Sequence, residues 1–229
     1  MTAPAPAATR RIGWLGRALA YRRPFRDRVG RVGLLAAAPV SMGFLAASLL
    51  VSALWHDPAG GHRLVAACCA WRAADLRGRS PLPLLGSALL VRRPVEALWT
   101  TAATWLVLGP MEAIVGSRRL LVLAGLGHAF PTMLVDLCWL AGGHPGPDLG
   151  GLDVGTSGVI VAAAAALAVA ACSLVVAAVL AAALAVDLAA APGLATAEHL
   201  VAVAVGVALA MLVCRRRRGP PPDPGRAGQ

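Results

Sequence analysis

Two side chains capable of nucleophilic chemistry lie in apolar stretches of the second half of the chain. Ser157 stands in the sequence Gly155-Thr156-Ser157-Gly158, and His199 opens a later apolar run. A serine hydroxyl is a weak nucleophile until a base takes its proton, and a neutral imidazole is the usual base. The two residues therefore predict a Ser-His dyad for acyl transfer, embedded in a membrane.

Small residues accompany both side chains. Gly155 and Gly158 flank the serine, and Ala202 and Gly206 follow His199 at helical spacing. Small residues on facing helices let the two backbones approach closely. We therefore predict that the serine helix and the histidine helix pack directly against each other.

The composition is that of a membrane protein. Hydrophobic residues make up 58% of the 229-residue chain, and the mean hydropathy is +0.71. The net charge of +10 comes from arginines grouped at the ends and in a few loops, which suits topology and headgroup contacts rather than nucleic-acid binding. The five cysteines form no CxxC pair, so neither a metal site nor any other cofactor is predicted.

The apolar segments predict an all-α integral membrane protein with six transmembrane helices. Residues 1–31 form an Arg-rich cytoplasmic tail, residues 32–214 the six-span domain, and residues 215–229 a basic, Pro-rich disordered tail. The predicted spans are 32–55, 95–115, 120–140, two short spans within 154–191 that meet near Cys172-Ser173, and 196–214. Residues 56–94 are too charged to span and predict a helix in the membrane interface.

The arginine distribution predicts a multi-pass protein of the cell membrane with both termini in the cytoplasm. Arg118-Arg119 and the arginines at 215–218 then face the cytoplasm, whereas the loop at 56–94 places arginines outside, against the rule. The fourth and sixth spans both enter from the outside, so Ser157 and His199 are predicted at similar depth. At 1.5 Å per residue, Ser157 would lie roughly 5 Å below the outer surface.

These motifs together resemble the rhomboid intramembrane serine proteases. That family has six spans, a GxSG serine on the fourth, and on the sixth a histidine followed by small residues at the third and seventh positions. Gly109-Pro110-Met111-Glu112 followed by Gly116-Ser117-Arg118-Arg119 also resembles the family's second span and the turn after it. The resemblance covers residues 84–214 and implies a rhomboid-like helical bundle with Ser157 and His199 as the catalytic residues.

The chain departs from the family at the oxyanion site. The resemblance implies a histidine and an asparagine on the second span, but those positions fall on Glu96 and Thr100, or on Ala97 and Thr101. Losing one oxyanion donor costs about 10²–10³ in rate. Gly155, Gly158, Thr100, Thr101 and His128 are the residues that we consider for oxyanion binding or support of the site.

The acidic residues near the predicted outer ends of the spans are expected mostly to be solvated or to cap helices. They are Asp136, Asp153, Asp187 and Glu198. Asp153 suits the N-cap of the fourth span. Asp187 is also a candidate to orient His199.

Three functions remain open from the sequence. The leading hypothesis is an intramembrane serine endopeptidase that uses a Ser-His dyad to hydrolyse peptide bonds in or near membrane spans of substrate proteins. The first alternative is an inactive rhomboid-fold protein that binds transmembrane helices of client proteins. The second is a small transporter with His128, Asp136 and Asp187 as a proton path.

The expected partners are the lipid bilayer and transmembrane proteins, and the sequence leaves the oligomeric state open.

Overall fold

The computed structural model describes residues 22–72, 76, 82–142, 155–190 and 193–217, with side chains up to residue 214. Its regular elements in these ranges are all helices. They are α1 Arg23–Val32, α2 Leu34–Ala37, α3 Pro39–Trp55, α4 Gly61–Cys69, α5 Leu82–Ser87, α6 Pro94–Val115, α7 Ser117–Ala141, α8 Ser157–Ala170, α9 Leu174–Ala190 and α10 Leu194–Arg217.

Three helices are long and apolar enough to cross a membrane, namely α6, α7 and the Leu194–Cys214 part of α10. The apolar helices α3, α8 and α9 are shorter, with 17, 14 and 17 residues. The chain is therefore a helical protein with three candidate membrane spans. The prediction of an all-α membrane protein is confirmed at this level.

The amino-terminal part differs from the single span predicted at 32–55. Gly33 has a φ of 77°, and Ala38 leaves the helical region immediately before Pro39. Since the residue before a proline is pushed out of the α region, a new helix begins at Pro39. The preceding helix α1 is not only a charged tail, because Phe25 is buried and its ring lies 6.1 Å from that of Trp105.

Helix α6 changes its winding in the middle. Residues Thr104–Leu108 form a π-helical turn directly before Gly109-Pro110. A proline lacks the N–H of a regular helical bond and its ring collides with the carbonyl of the preceding turn. A wider turn relieves this collision and lets α6 continue to Val115.

Glu112 joins the amino-terminal helices to α6. Its carboxylate is fully buried and accepts hydrogen bonds from the Val40 N–H at 3.0 Å and the Ser41 N–H at 2.8 Å. It also accepts from the Ser41 hydroxyl at 2.7 Å and the Ser117 hydroxyl at 2.6 Å. Four donors compensate a burial that would otherwise be costly.

Helix α8 forms the centre of the molecule. Its residues from Ala162 to Leu167 are all buried, and they pack against α7, α10 and the end of α6. By contrast, α9 buries only Val176 among its 17 residues. The small alanine side chains of α8 allow neighbouring helices to approach it from several sides.

The predicted break near Cys172-Ser173 is confirmed. Helix α8 ends at Ala170 and α9 begins at Leu174, with Cys172 at a φ of 49°. The Ser173 N–H bonds the Ala168 carbonyl at 2.9 Å, and the Ser173 hydroxyl accepts from the Val176 N–H at 3.4 Å. A non-glycine residue in the left-handed region and a capping serine thus make the turn without Gly or Pro.

The region 56–94 is more deeply integrated than an interfacial helix. Leu64, Cys68 and Trp71, which are at helical spacing in the sequence, do not share one helix, because α4 ends at Cys69. Trp71 is instead buried, and its indole N–H donates to Asp136 of α7 at 2.9 Å. Asp136 is fully buried, so the expectation of a solvated carboxylate was wrong there.

Candidate functional site

Ser157 is the first residue of α8, and Thr156 is the N-cap. The predicted N-cap Asp153 lies outside the described residues. Gly155 has a φ of 140°, a conformation that favours glycine, and its N–H donates to the Ser87 carbonyl at 3.0 Å. This bond attaches the turn before Ser157 to the end of α5 and leaves the Ser157 side chain exposed.

His199 lies in the second turn of α10 and contacts α9. Its Nδ1 is 2.9 Å from the Asp187 carboxylate, and the two side chains are 17% and 34% exposed. A carboxylate on Nδ1 holds the proton there and leaves Nε2 as the basic nitrogen. Asp187, considered from the sequence as a candidate to orient His199, is thus bonded to its ring.

Ser157 and His199 lie at the same end of two parallel helices. Gly206 of α10 packs on the Ala162 backbone, and Ala166 and Ala210 line one groove a turn further along both helices. Ser157 precedes Ala162 by five residues and His199 precedes Gly206 by seven. At 1.5 Å per residue, the two levels along the helix axis differ by about 3 Å.

The predicted dyad is not closed by a hydrogen bond. Within the described residues, the only hydrogen-bond partner of the His199 ring is Asp187, and the Ser157 hydroxyl makes no bond. The structure therefore brings the two side chains to one end of the bundle and to similar depth, without joining them.

A cavity of about 400 Å³ opens beside Ser157, between the start of α6 and the start of α8. Thr100 and Thr156 both line it, and their hydroxyl oxygens are 2.8 Å apart. The Thr101 hydroxyl instead donates to the Ala97 carbonyl of its own helix at 2.8 Å. Of the two threonines considered from the sequence, the structure brings only Thr100 to the serine.

Glu96 also lines this cavity, but its carboxylate is engaged at the start of α6. It accepts from the backbone N–H groups of Arg92 and Arg93 at 2.9 and 3.2 Å. Glu96 thereby satisfies backbone donors that precede the helix. With these bonds Glu96 stabilises the start of α6, and its carboxylate is not placed to exchange a proton with Ser157.

His128 lies beneath the start of α8 and is buried. Its Nε2 is 2.9 Å from the Ser87 hydroxyl and 3.0 Å from the Leu84 carbonyl. A Cβ added to Gly158 would lie 3.3 Å from His128 Nδ1, so a larger residue at Gly158 would press on the imidazole. His128 connects α5 to α7 directly below the serine.

Ser87 was missed by the sequence analysis. Its hydroxyl donates to Leu84 at 2.8 Å and contacts His128, while its carbonyl accepts from Gly155. The available signal was a lone serine in the short apolar piece 81–91, which is too short to cross a bilayer. A polar residue buried in such a short apolar segment needs internal partners.

The two small residues predicted to pack below the histidine are both buried in the contact with α8. Ala202 has no exposed surface, and a Cβ on Gly206 would overlap the Ala162 carbonyl oxygen. Any larger residue at Gly206 would separate α10 from α8. The sequence pattern thus identified the helix pair correctly.

Other reactive groups in the described residues do not form a competing centre. Burial, and then the neighbouring Cys68, raise the pKa of the Cys69 thiol, which makes it a poorer nucleophile. No group of three or more His, Cys, Asp or Glu side chains suitable for a metal ion occurs in the part of the chain that the structure describes.

Comparisons of the chain with protein-family models, with curated proteins and with solved structures found no match.

Proposed function

We propose that this chain is an intramembrane serine endopeptidase with a rhomboid-like bundle of six spans. The observation that carries the proposal is the parallel packing of α8 and α10. It sets Ser157 and His199 about 3 Å apart in level, with Asp187 bonded to the histidine. The GxSG motif around Ser157 supports the rhomboid-like assignment, and so does His199 with small residues at the third and seventh positions after it.

In the proposed reaction, His199 Nε2 takes the proton of the Ser157 hydroxyl as the serine oxygen bonds to the carbonyl carbon of a peptide. Asp187 stabilises the imidazolium that forms. The imidazolium then gives its proton to the leaving amine, and water releases the acyl group by the same route. The hydrogen bond between serine and histidine forms with substrate, since such contacts are often open in free enzymes.

The first turn of α8 would hold the oxyanion. The leading N–H groups of a helix have no partner within the helix and attract negative charge, and Ser157 and Gly158 supply two of them. Thr100 lines the cavity beside Ser157, and its hydroxyl is our candidate for a third donor in place of the missing histidine and asparagine. In the free protein this hydroxyl is hydrogen-bonded to the Thr156 hydroxyl.

The proposal includes the membrane topology. Six spans with both termini in the cytoplasm need α3, α8 and α9 to cross as short helices. The buried small residues of α8 suit a helix surrounded by protein rather than lipid. The site then opens just under the outer face of the cell membrane, where substrate spans would enter.

The alternative is an inactive protein of the same architecture that binds transmembrane helices. The specific observation in its favour is the open Ser157–His199 pair, together with a threonine where the family has its oxyanion residues. A proton path through His128, Asp136 and Asp187 is less supported, because these side chains have separate partners in Ser87, Trp71 and His199.

A fluorophosphonate probe separates the two leading functions. We expect the purified wild-type protein in liposomes to be labelled, and Ser157→Ala to abolish the labelling while Ser52→Ala preserves it. His199→Ala should slow labelling by at least about tenfold. Absence of labelling in a folded wild type that still captures transmembrane peptides would establish the inactive alternative, and labelling that persists in Ser157→Ala would refute the assigned nucleophile.

A further inference from the structure

An apolar groove of about 380 Å³ lies at the end of the bundle opposite to Ser157. It is bounded by the end of α6, the start of α7 and the carboxyl halves of α8 and α10. Its floor is apolar and includes Val115, Leu123, Ala166 and Leu209. The register of α8 and α10 separates this groove from the candidate catalytic end, because Ala166 lies nine residues beyond Ser157, or about 14 Å along the helix.

Two arginines stand at the mouth of the groove. Arg118 and Arg119 line it and are exposed. Within the described residues neither guanidinium forms a hydrogen bond or an ion pair. The nearby carboxylate of Glu112 does not neutralise them, since it is buried and bonded to Ser117 and the start of α3.

The position of these arginines in α7 is electrostatically unfavourable without an anion. They occupy the first turn of a 25-residue helix that has no acidic residue in that turn and no side-chain cap. Cations at a helix amino terminus oppose the macrodipole. An anion bound there would be attracted by both guanidinium groups and by the free N–H groups of the helix.

We propose that this groove binds one anionic glycerophospholipid, with its phosphate on Arg118 and Arg119 and part of an acyl chain along the apolar floor. A free inorganic anion would use the arginines alone and would leave the adjoining apolar groove unexplained. In a membrane, basic pockets between helices on the cytoplasmic side recognise lipid headgroups in this way. Charge and apolar surface are complementary to the two parts of a lipid.

The experiment is native mass spectrometry of the full chain in a neutral detergent with phosphatidylglycerol or phosphatidylcholine of identical acyl chains. We expect phosphatidylglycerol to bind at least tenfold more tightly than phosphatidylcholine. Arg118→Gln combined with Arg119→Gln should reduce this preference to within twofold. The matched control Arg92→Gln with Arg93→Gln neutralises the adjacent, exposed arginines at the start of α6 and should keep the preference.

Two further measurements test the apolar part of the site. Val122→Trp places a large ring in the groove without changing the charge, so we expect it to weaken phosphatidylglycerol binding at least fivefold. Glycerophosphoglycerol, which has the headgroup and no acyl chains, should not compete at concentrations equal to the lipid.

Equal loss of the phosphatidylglycerol preference in both double arginine variants would refute the site. Full competition by the headgroup alone would show an anion site without a lipid groove. The single variant Arg119→Gln replaces the double variant if the latter is misfolded.

Discussion

Thr100 is the residue on which the proposed oxyanion site depends most directly. Thr100 lines the cavity beside Ser157 and its hydroxyl is bonded to that of Thr156, whereas the hydroxyl of the neighbouring Thr101 bonds its own helix. The two threonines are adjacent in sequence yet differ in which groups they reach. They therefore offer a matched pair of which only Thr100 lines the cavity beside Ser157.

We expect Thr100→Val to lower kcat by about 10–10², within the range found for the loss of an oxyanion donor. Thr101→Val should change kcat less than about twofold, since its hydroxyl contacts only a helix carbonyl. The measurement is cleavage of a transmembrane reporter peptide in liposomes with both variants at equal folded amount. Equal kinetics in the two variants would remove Thr100 from the oxyanion site.

Asp187 has a different task, because it touches the base rather than the substrate. Its carboxylate holds His199 Nδ1 at 2.9 Å, so Asp187→Asn would remove the charge that stabilises the imidazolium. We expect kcat to fall by at least about tenfold with KM nearly unchanged. Asp187→Glu should recover part of the rate if the carboxylate is the active feature, and a KM effect without a kcat effect would contradict the assigned role.

The sequence predicted these residues to different extents. Ser157 and His199 were proposed from type and spacing, and their position at one end of the bundle was expected from the direction of two predicted spans. Asp187 remained one option among several, because a carboxylate twelve positions before a histidine can reach it only if the intervening turn folds back at the right place. Ser87 was visible only as a lone serine in a short apolar segment, and its role was not, since its contacts with His128 and Gly155 join three segments far apart in sequence.

At the scale of elements, the contact between α8 and α10 decides whether the site exists. Gly206 lies against the Ala162 backbone with no room for a Cβ. The sequence predicted this pairing from small residues alone. It did not predict that α3 would begin at Pro39 or that Trp71, which lies beyond the end of α4, would bond Asp136. Both features depend on tertiary partners.

Gly206→Ala provides a test in which local and tertiary effects have opposite signs. An alanine in a helix interior is intrinsically more favourable than glycine by about 1 kcal/mol. Here the added methyl group would push α10 away from α8, so we expect a lower thermal midpoint in detergent and a loss of activity. Ala204→Val, on the exposed side of the same helix, should change neither by much. A Gly206→Ala protein that is more stable and fully active would show that the close contact is not formed.

At the scale of the whole molecule, the number of spans determines on which side of the membrane the site opens. The three long helices meet the length of a bilayer by themselves, whereas α3, α8 and α9 are shorter. Length alone therefore cannot settle the topology from sequence. An arrangement with six spans and one with only the three long spans differ in one respect. In the first, the turn at Cys172 and the end of α7 lie on opposite sides of the membrane, and in the second they lie on the same side.

Cysteine accessibility tests this topology with two positions. Cys172 is exposed in the turn between α8 and α9, and Gly142 is exposed just after α7. If α8 crosses the membrane, the two positions face opposite sides, and if only the three long helices cross, both face the same side. We expect a membrane-impermeant maleimide added to intact cells to label Gly142→Cys in a cysteine-free background and to leave Cys172, retained alone, unlabelled until the cells are opened. Because the background contains a single thiol in each case, labelling of both positions from outside would contradict six spans and would leave α8, which carries Ser157, outside the membrane.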